Sequence, residues 1–502
     1  MKKLFTLLFV AVVAIAARAT DYNVPITITV NGISVEQKGT ITVTEHDGLY
    51  DFTMKNFMLQ NGDTPMGIGN VELKDIKSYK DGNATLLIAS KQVSITAGDD
   101  PSVGMWMGTV LPPVNVDLRG KISGDHLRCY IDIDLTEQLG QVIQVAIGDG
   151  YQIANPSFEN WHTSTGTYVE PNAWHSFESG TGQLIGSAGN HIEKSTDAHT
   201  GEASARIFAT ELNFIFFKVI ANGTMTTGRM NAGSASAANT ANHAYLDMSS
   251  ADVDGNGDPF YTTMYSRPDS IATWIKFKQG TPNAEHPYAT ISAIITDGTR
   301  YQDPEDKAYT NVVGKAQNNT IATTGDQWVR VKVPFEYTDN AVEPKAVLVT
   351  ISTNADPGQG SGKDEVLVDD IQFIYNATVT GLKIKGQSVP NFNSKTTSYE
   401  MALTDAITAD DIEVTVDSKT AHVIKEVTAD AGNYLCTIKA ISADMSTIST
   451  YQVKVAGNTT GIDNVNANEN GNLNSNLYNI AGKQVSNDYK GMVIVNGKKI
   501  IK

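Results

Sequence analysis

Residues 24–32 read Val-Pro-Ile-Thr-Ile-Thr-Val-Asn-Gly, and they set the class of fold. Apolar and polar side chains alternate with a period of two, the pattern of a half-buried strand, and Asn31-Gly32 supplies a hairpin turn. The pattern returns at Gly39–Thr44, meets turn residues at Asp47-Gly48, and continues in Leu49–Met54, which can pair back. Further runs follow at Asn70–Asp75, Thr85–Thr96, Val114–Leu118 and Leu127–Leu135. The nearest approach to a helical period, Asp132–Val145, is interrupted by Gly140. Hairpin-linked strands over residues 21–148 predict a small up-and-down β-barrel. The same grammar runs through the rest of the chain. The expected class is therefore all-β and multi-domain, opening with a small β-barrel. A length of 502 residues suits about three domains at roughly 150 residues each.

The chain begins with Lys2 and Lys3, an apolar run Leu4–Ala17, and Ala17-Arg18-Ala19. Positive start, apolar stretch and small-x-small site together predict a signal peptide over residues 1–19, with the mature chain starting at Thr20. The run is shorter than the ~20 residues that span a bilayer, and no later run is long enough. No cysteine stands at the cleavage point, so a lipoprotein anchor is not expected. The predicted location is outside the cytoplasm: periplasm, cell surface or extracellular. Three of the 38 Lys and Arg residues leave with residues 1–19, so the formal charge of −17 becomes −20. That acidity repels phosphate backbones and argues against nucleic acid; neutral glycans remain compatible. The two cysteines, Cys129 and Cys436, fall in different predicted domains, so no disulfide framework or thiol metal site is expected.

Resemblances sharpen this outline. Tyr50–Leu59 (YDFTMKNFML) followed by Ile68–Ile76 (IGNVELKDI) resembles the calycin-like (lipocalin-like) domain of secreted proteins from anaerobic gut-type bacteria. That implies a barrel that either holds one small ligand or is filled by its own side chains. Residues 151–376 open with Asn155-Pro156-Ser157-Phe158-Glu159-Asn160-Trp161 and continue through Pro171–Trp174, Thr200–Arg206, Ile271–Lys278, Trp328–Phe335 and Ala346–Ser352 to Val366–Phe373. This series resembles the jelly roll of carbohydrate-binding modules, and Tyr261–Gly280 resembles the carbohydrate-metabolism domain family. Residues 378–456, with Gly381–Gly386, Val389–Phe392 and Thr450–Val455, resemble an Ig-like or cadherin-like sandwich of the spacer type. A polar linker covers 457–476. Residues 477–502 resemble the C-terminal tail of envelope proteins, which in some cases engages a type IX secretion machinery.

Candidate site residues fall in residues 151–376. Asp369 and Asp370 are strand neighbours, so their side chains point to opposite faces and cannot act on one bond. Glu159 and Asp370, near the two ends of the jelly roll, form the better pair. Two close carboxylates repel unless something neutralises them, and Ca²⁺ accepts irregular oxygen shells. Carbohydrate-binding jelly rolls often carry such a calcium; the matching ligands are Glu159, Asp370 and backbone carbonyls at Thr200 and Glu202. A glycosidase pair and solvated carboxylates are the other readings. Asp252–Asp258 matches the first half of a calcium loop, but Thr263 stands where a bidentate Glu belongs, so it reads as an Asp/Gly-rich turn that could hold an ion weakly. The histidines show no H-E-x-x-H spacing, and no Gly-x-Ser-x-Gly elbow occurs.

Aromatic parity supplies the recognition hypothesis. Trp274, Tyr288 and Trp328 fall on the polar parity of their strands, with Lys276 and Arg330 beside the tryptophans. Sugar C–H faces stack on such rings, so the set predicts a glycan platform; rings that cover a sheet edge are the alternative. The expected function is non-catalytic binding of a glycan or polysaccharide. A glycoside hydrolase and a surface structural protein or adhesin are its rivals.

Overall fold

The computed structural model describes residues 18–30, 33–59, 65–164, 168–338, 341–403, 405–430, 433–457, 477–479, 483–486, 488–495 and 498–501. The apolar run of the expected signal peptide and nearly all of the expected linker lie outside these residues. Among the described residues nearly all regular structure is β-strand, with helical turns of three or four residues. No helix among them is long and apolar enough to cross a membrane.

The chain divides into two compact units. The first contains a closed eight-stranded barrel: β1 Arg18–Val30, β2 Ile33–His46, β3 Leu49–Leu59, β4 Met66–Asp81, β5 Ala84–Val93, β6 Val114–Ser123, β7 His126–Leu135 and β8 Gln141–Ile147. Consecutive strands pair antiparallel, and β8 closes on β1 with Ile26 opposite Ile147. Asp47 and Gly48, both with positive φ, make the tight turn between β2 and β3. Alternation sends one face of every strand inward. Ile28, Val43, Phe52, Leu73, Leu118 and Ile131 join a single buried cluster that draws on all eight strands. Each such side chain contributes roughly 1.5–3 kcal/mol of burial energy. Within Asp132–Val145, the nearest approach to a helical period, Thr136–Leu139 forms one turn, ended by left-handed Gly140. Both cysteines are free and buried, and burial pushes the Cys129 thiol up to about 12.

The first unit also holds a β-sandwich. Its five-stranded sheet runs in the order Ile192–Ser195, Ser204–Phe208, Glu365–Ile374, Ser270–Lys278, Val329–Pro334. The facing sheet contains, in order, Thr224–Thr226, Ala346–Ser352, Ala289–Thr296, Val312–Ile321 and Glu336–Tyr337, with Thr262–Thr263 beside Ala346–Ser352. Inward residues such as Phe277, Ile275, Val368, Ile291, Ala293 and Val349 form one core between the sheets. The outer face of the second sheet is divided. Ile294 and Leu348 are buried beneath Met230, Ala244, Leu246 and Tyr301 from a three-stranded sheet, Arg229–Ala232, Asn242–Leu246 and Tyr301–Asp303. The next rungs along the same strands carry polar side chains, and there a cleft opens.

The second unit has a three-stranded sheet, Gln387–Ser388, Val379–Ile384 and Ile412–Val416, and a four-stranded sheet in which Ser398–Leu403 and Ile448–Gly457 pair parallel. Tyr451 is buried here and donates its hydroxyl to the Ser394 carbonyl at 2.9 Å. The last described strands, Leu477–Asn479, Gln484–Val485, Met492–Val495 and Lys498–Ile501, form a small antiparallel sheet.

Candidate functional site

The cleft encloses about 320 Å³ on the outer face of the six-stranded sheet, within the range of small-molecule sites. Three adjacent strands build its floor. Ser292 stands between Gln317 on one side and Thr350 on the other, and Thr290 lies opposite Ser352. Thr290 Oγ1 donates to Asn319 Oδ1 at 2.5 Å, and Ser292 Oγ donates to Asp303 Oδ2 at 2.6 Å. Burial pushes the Asp303 carboxyl above its usual value, although Ser292 and Lys315 draw it down. The rim is apolar. Leu184 lines it, as do Leu212, Phe214 and Val219 of the hairpin Thr210–Asn213 and Lys218–Ala221. At the hairpin tip Phe214 stacks on Phe217 at 4.9 Å, and Ile215 and Phe216 are 91% and 92% exposed.

The tryptophans lie on the other sheet. Trp274 and Arg330 are cross-strand partners in register, and Trp328 directly precedes the Arg330 strand. Parity puts Trp274 and Lys276 on the outer side, as expected, with Thr273, Ile275 and Phe277 buried. The rings are occupied by protein, however. His199 stacks on Trp274 with centroids 3.9 Å apart, and Lys276 Nζ lies 5.0 Å over the Trp328 ring. Lys276 is also held by Asp197 at 2.6 Å, while Arg330 is exposed. Tyr288 does not join them. It precedes Ala289–Thr296 and continues the parity of Thr290 and Ser292, on the sheet that carries the cleft. The three rings therefore do not line one surface, because parity assigns a face within a strand but not the sheet to which that strand belongs.

Glu159 and Asp370 do converge on one segment, Thr200–Ala203 with His199, but as hydrogen-bond acceptors. Glu159 Oε1 accepts the N–H groups of Glu202 at 2.9 Å and Ala203 at 3.2 Å. Asp370, at φ +48°, accepts from His199 Nδ1 at 2.6 Å and from the Thr200 hydroxyl at 2.7 Å. Burial acts to raise the Asp370 carboxyl, but hydrogen bonds from His199, Thr200 and Ser157 outweigh it and hold the group below its usual value. Asp369 reaches the same segment, accepting the backbone N–H groups of His199 and Thr200, so the two neighbours do not point to opposite faces as expected: the register shift here and the positive φ of Asp370 interrupt the alternation of the strand. This arrangement does not fit the Ca²⁺ expected of it. Glu202 contributes an N–H, not a carbonyl, and donors rather than ligand oxygens surround the two carboxylates. The half-matched calcium loop is a closed turn: Asp254 N–H donates to the Asp258 carbonyl at 2.9 Å.

Comparison with known proteins bears on the barrel. Residues 19–147 match the family model described as the calycin-like beta-barrel domain. This segment is a calycin-like barrel. Its eight closed strands and packed interior are those described above. No curated protein matches the chain. Among solved structures the chain is similar to the M60 catalytic domain with the CBM51-1 and CBM51-2 domains from Clostridium perfringens ZmpB. The identity is 10%, the TM-score 0.15, and the match covers 94% of this chain and 43% of that one. The chain thus spans less than half the length of that protein. Sequence reasoning missed the cleft because its floor residues come from strands separated by hairpins and loops. The one local signal was the run Phe214-Ile215-Phe216-Phe217, too apolar for an exposed turn.

Proposed function

We propose that this chain is an exported, non-catalytic glycan-binding protein and that the cleft on the six-stranded sheet is its binding site. The observation that carries the reading is the pairing of a polar floor with an aromatic rim. Asn319, Gln317, Ser292 and Asp303 offer the mixed donors and acceptors that sugar hydroxyls need, and Phe214 with its hairpin offers the flat apolar surface that sugar C–H faces need. Among the described residues lining the cleft, Asp303 is the single carboxylate, whereas glycoside hydrolysis by the common routes uses two, on either side of the bond. The sandwich acts as a jelly-roll recognition domain, the second unit as an Ig-like spacer, and residues 477–502 as the segment read by envelope secretion machinery. Export rests on residues 1–19.

A glycan array probed with the purified chain tests the proposal. Binding to a defined neutral oligosaccharide, lost in Gln317→Ala and Asn319→Ala at unchanged melting temperature, is the expected result. An array without signal, or binding indifferent to both substitutions, contradicts it.

A further inference from the structure

Two histidines and an aspartate meet beneath the loop Asp252–Asp258. His162 stands in the strand Trp161–Thr163, His175 on an isolated bridge to Thr226, and Asp254 at the head of the turn. Asp254 Oδ2 lies 3.2 Å from His162 Nε2 and 3.5 Å from His175 Nε2. The side chains of His175 and Asp254 are fully buried, and that of His162 is 9% exposed. Yet His162 Nε2, both ring nitrogens of His175 and Asp254 Oδ2 make no hydrogen bond among the described residues. Buried polar groups are nearly always paired, so four such atoms in one place need an explanation. The neighbourhood is otherwise satisfied: buried Glu170, the ladder partner of His162, accepts from Ser164, Ser176 and Ser179.

The surrounding bonds aim these atoms at one another. Asp254 Oδ1 accepts the N–H groups of Asn256 at 2.9 Å and Asp258 at 2.8 Å, which turns Oδ2 toward the histidines. His162 Nδ1 meets Asn172 Oδ1 at 3.1 Å; in the neutral ring that hydrogen bond leaves Nε2 as a lone pair facing a carboxylate oxygen. Two buried acceptors facing each other repel, and a cation between them reverses the sign. A ring nitrogen freed by a hydrogen bond on the opposite nitrogen is also the usual preparation of a metal-binding histidine. Asp258 places a carboxylate oxygen within 4.8 Å of the ligand atoms of His162 and Asp254.

We infer that His162, Asp254 and Asp258, with His175 beside Asp254, bind a borderline divalent metal ion of the Zn²⁺ type, fastening the loop Asp252–Asp258 to the sandwich. Imidazole nitrogen among carboxylate oxygens matches that class of ion, whereas Ca²⁺ prefers a shell of oxygens alone. The site is separate from the glycan cleft and stands or falls independently of it.

The test uses the full chain after chelation and dialysis. Zn²⁺ titrated calorimetrically should bind at one equivalent per chain and raise the melting temperature by several degrees, where Ca²⁺ does not. Co²⁺ should give visible d–d absorption. His162→Gln and Asp254→Asn should each weaken Zn²⁺ at least about tenfold, about 1.4 kcal/mol, and lose the Co²⁺ bands. If Asp254→Asn fails to fold, His162→Gln and the wild-type Co²⁺ spectrum decide. Wild-type protein that takes up no more Zn²⁺ than His162→Gln overturns the inference, as does a featureless Co²⁺ spectrum; either result would mean that a proton, not a metal, bridges the pair.

Discussion

Ser292 Oγ donates to Asp303 Oδ2 across 2.6 Å, tying together two residues of the polar floor of the cleft. Burial raises the Asp303 carboxyl above its usual value, so this group loses its charge at a higher pH than a solvated aspartate. As pH falls through the raised folded value, the cleft loses an ionised acceptor, and glycan affinity should fall with it. Fold stability moves the opposite way for this one group, because the folded state holds its proton more tightly than the unfolded chain. Calorimetric titrations between pH 7 and 4 should show the decline, and Asp303→Asn should flatten it. A pH-independent affinity in the wild type would remove Asp303 from the site.

The hairpin tip gives a second expectation. Phe216 is almost wholly exposed, so Phe216→Ala should change the melting temperature little. Loss of one stacking ring should still weaken glycan binding several-fold, on the order of 1 kcal/mol. Equal affinity in variant and wild type would place the hairpin outside the contact.

Trp274 should behave in the reverse sense. Its ring stacks on His199, which Asp370 holds in turn. Trp274→Ala should therefore lower stability by about 2 kcal/mol, less than the 3–5 of a fully buried ring, and leave affinity intact. A variant that melts normally but binds poorly would restore the tryptophan platform as the recognition surface.

Strand periodicity made the class of fold legible because alternation is a local property. Val24–Val30 and Gly39–Thr44 fall within β1 and β2, and Ile271–Lys278 lies within the strand Ser270–Lys278. Face assignments held for Trp274 and Lys276 for the same reason. Partnership between distant segments was not legible. Tyr288 shares its sheet with Thr290 rather than with Trp274, a matter of strand order. Glu159 and Asp370 do reach one segment, but the backbone of Glu202 turns its N–H, not its carbonyl, toward Glu159. His162 and Asp254 come together across more than ninety residues, a spacing that no short motif could flag.

That reading of Glu159 has its own test. Two backbone N–H groups depend on its Oε1. Glu159→Ala should cost about 1–2 kcal/mol, whereas Glu159→Gln, which keeps an acceptor oxygen, should recover most of it. Unfolding with and without Ca²⁺ checks the alternative: a Ca²⁺-dependent rise lost equally in both variants would show that charge, not hydrogen bonding, is the requirement.

The most direct measurement of the central claim is the affinity of the wild-type chain for its best array glycan, set beside Asn319→Ala and Asp303→Ala at neutral pH, with melting temperatures alongside. Each variant should lose about tenfold or more, roughly 1.4 kcal/mol, while melting within a few degrees of the wild type. Undiminished affinity in both well-folded variants would show that the cleft is not where this protein meets a glycan.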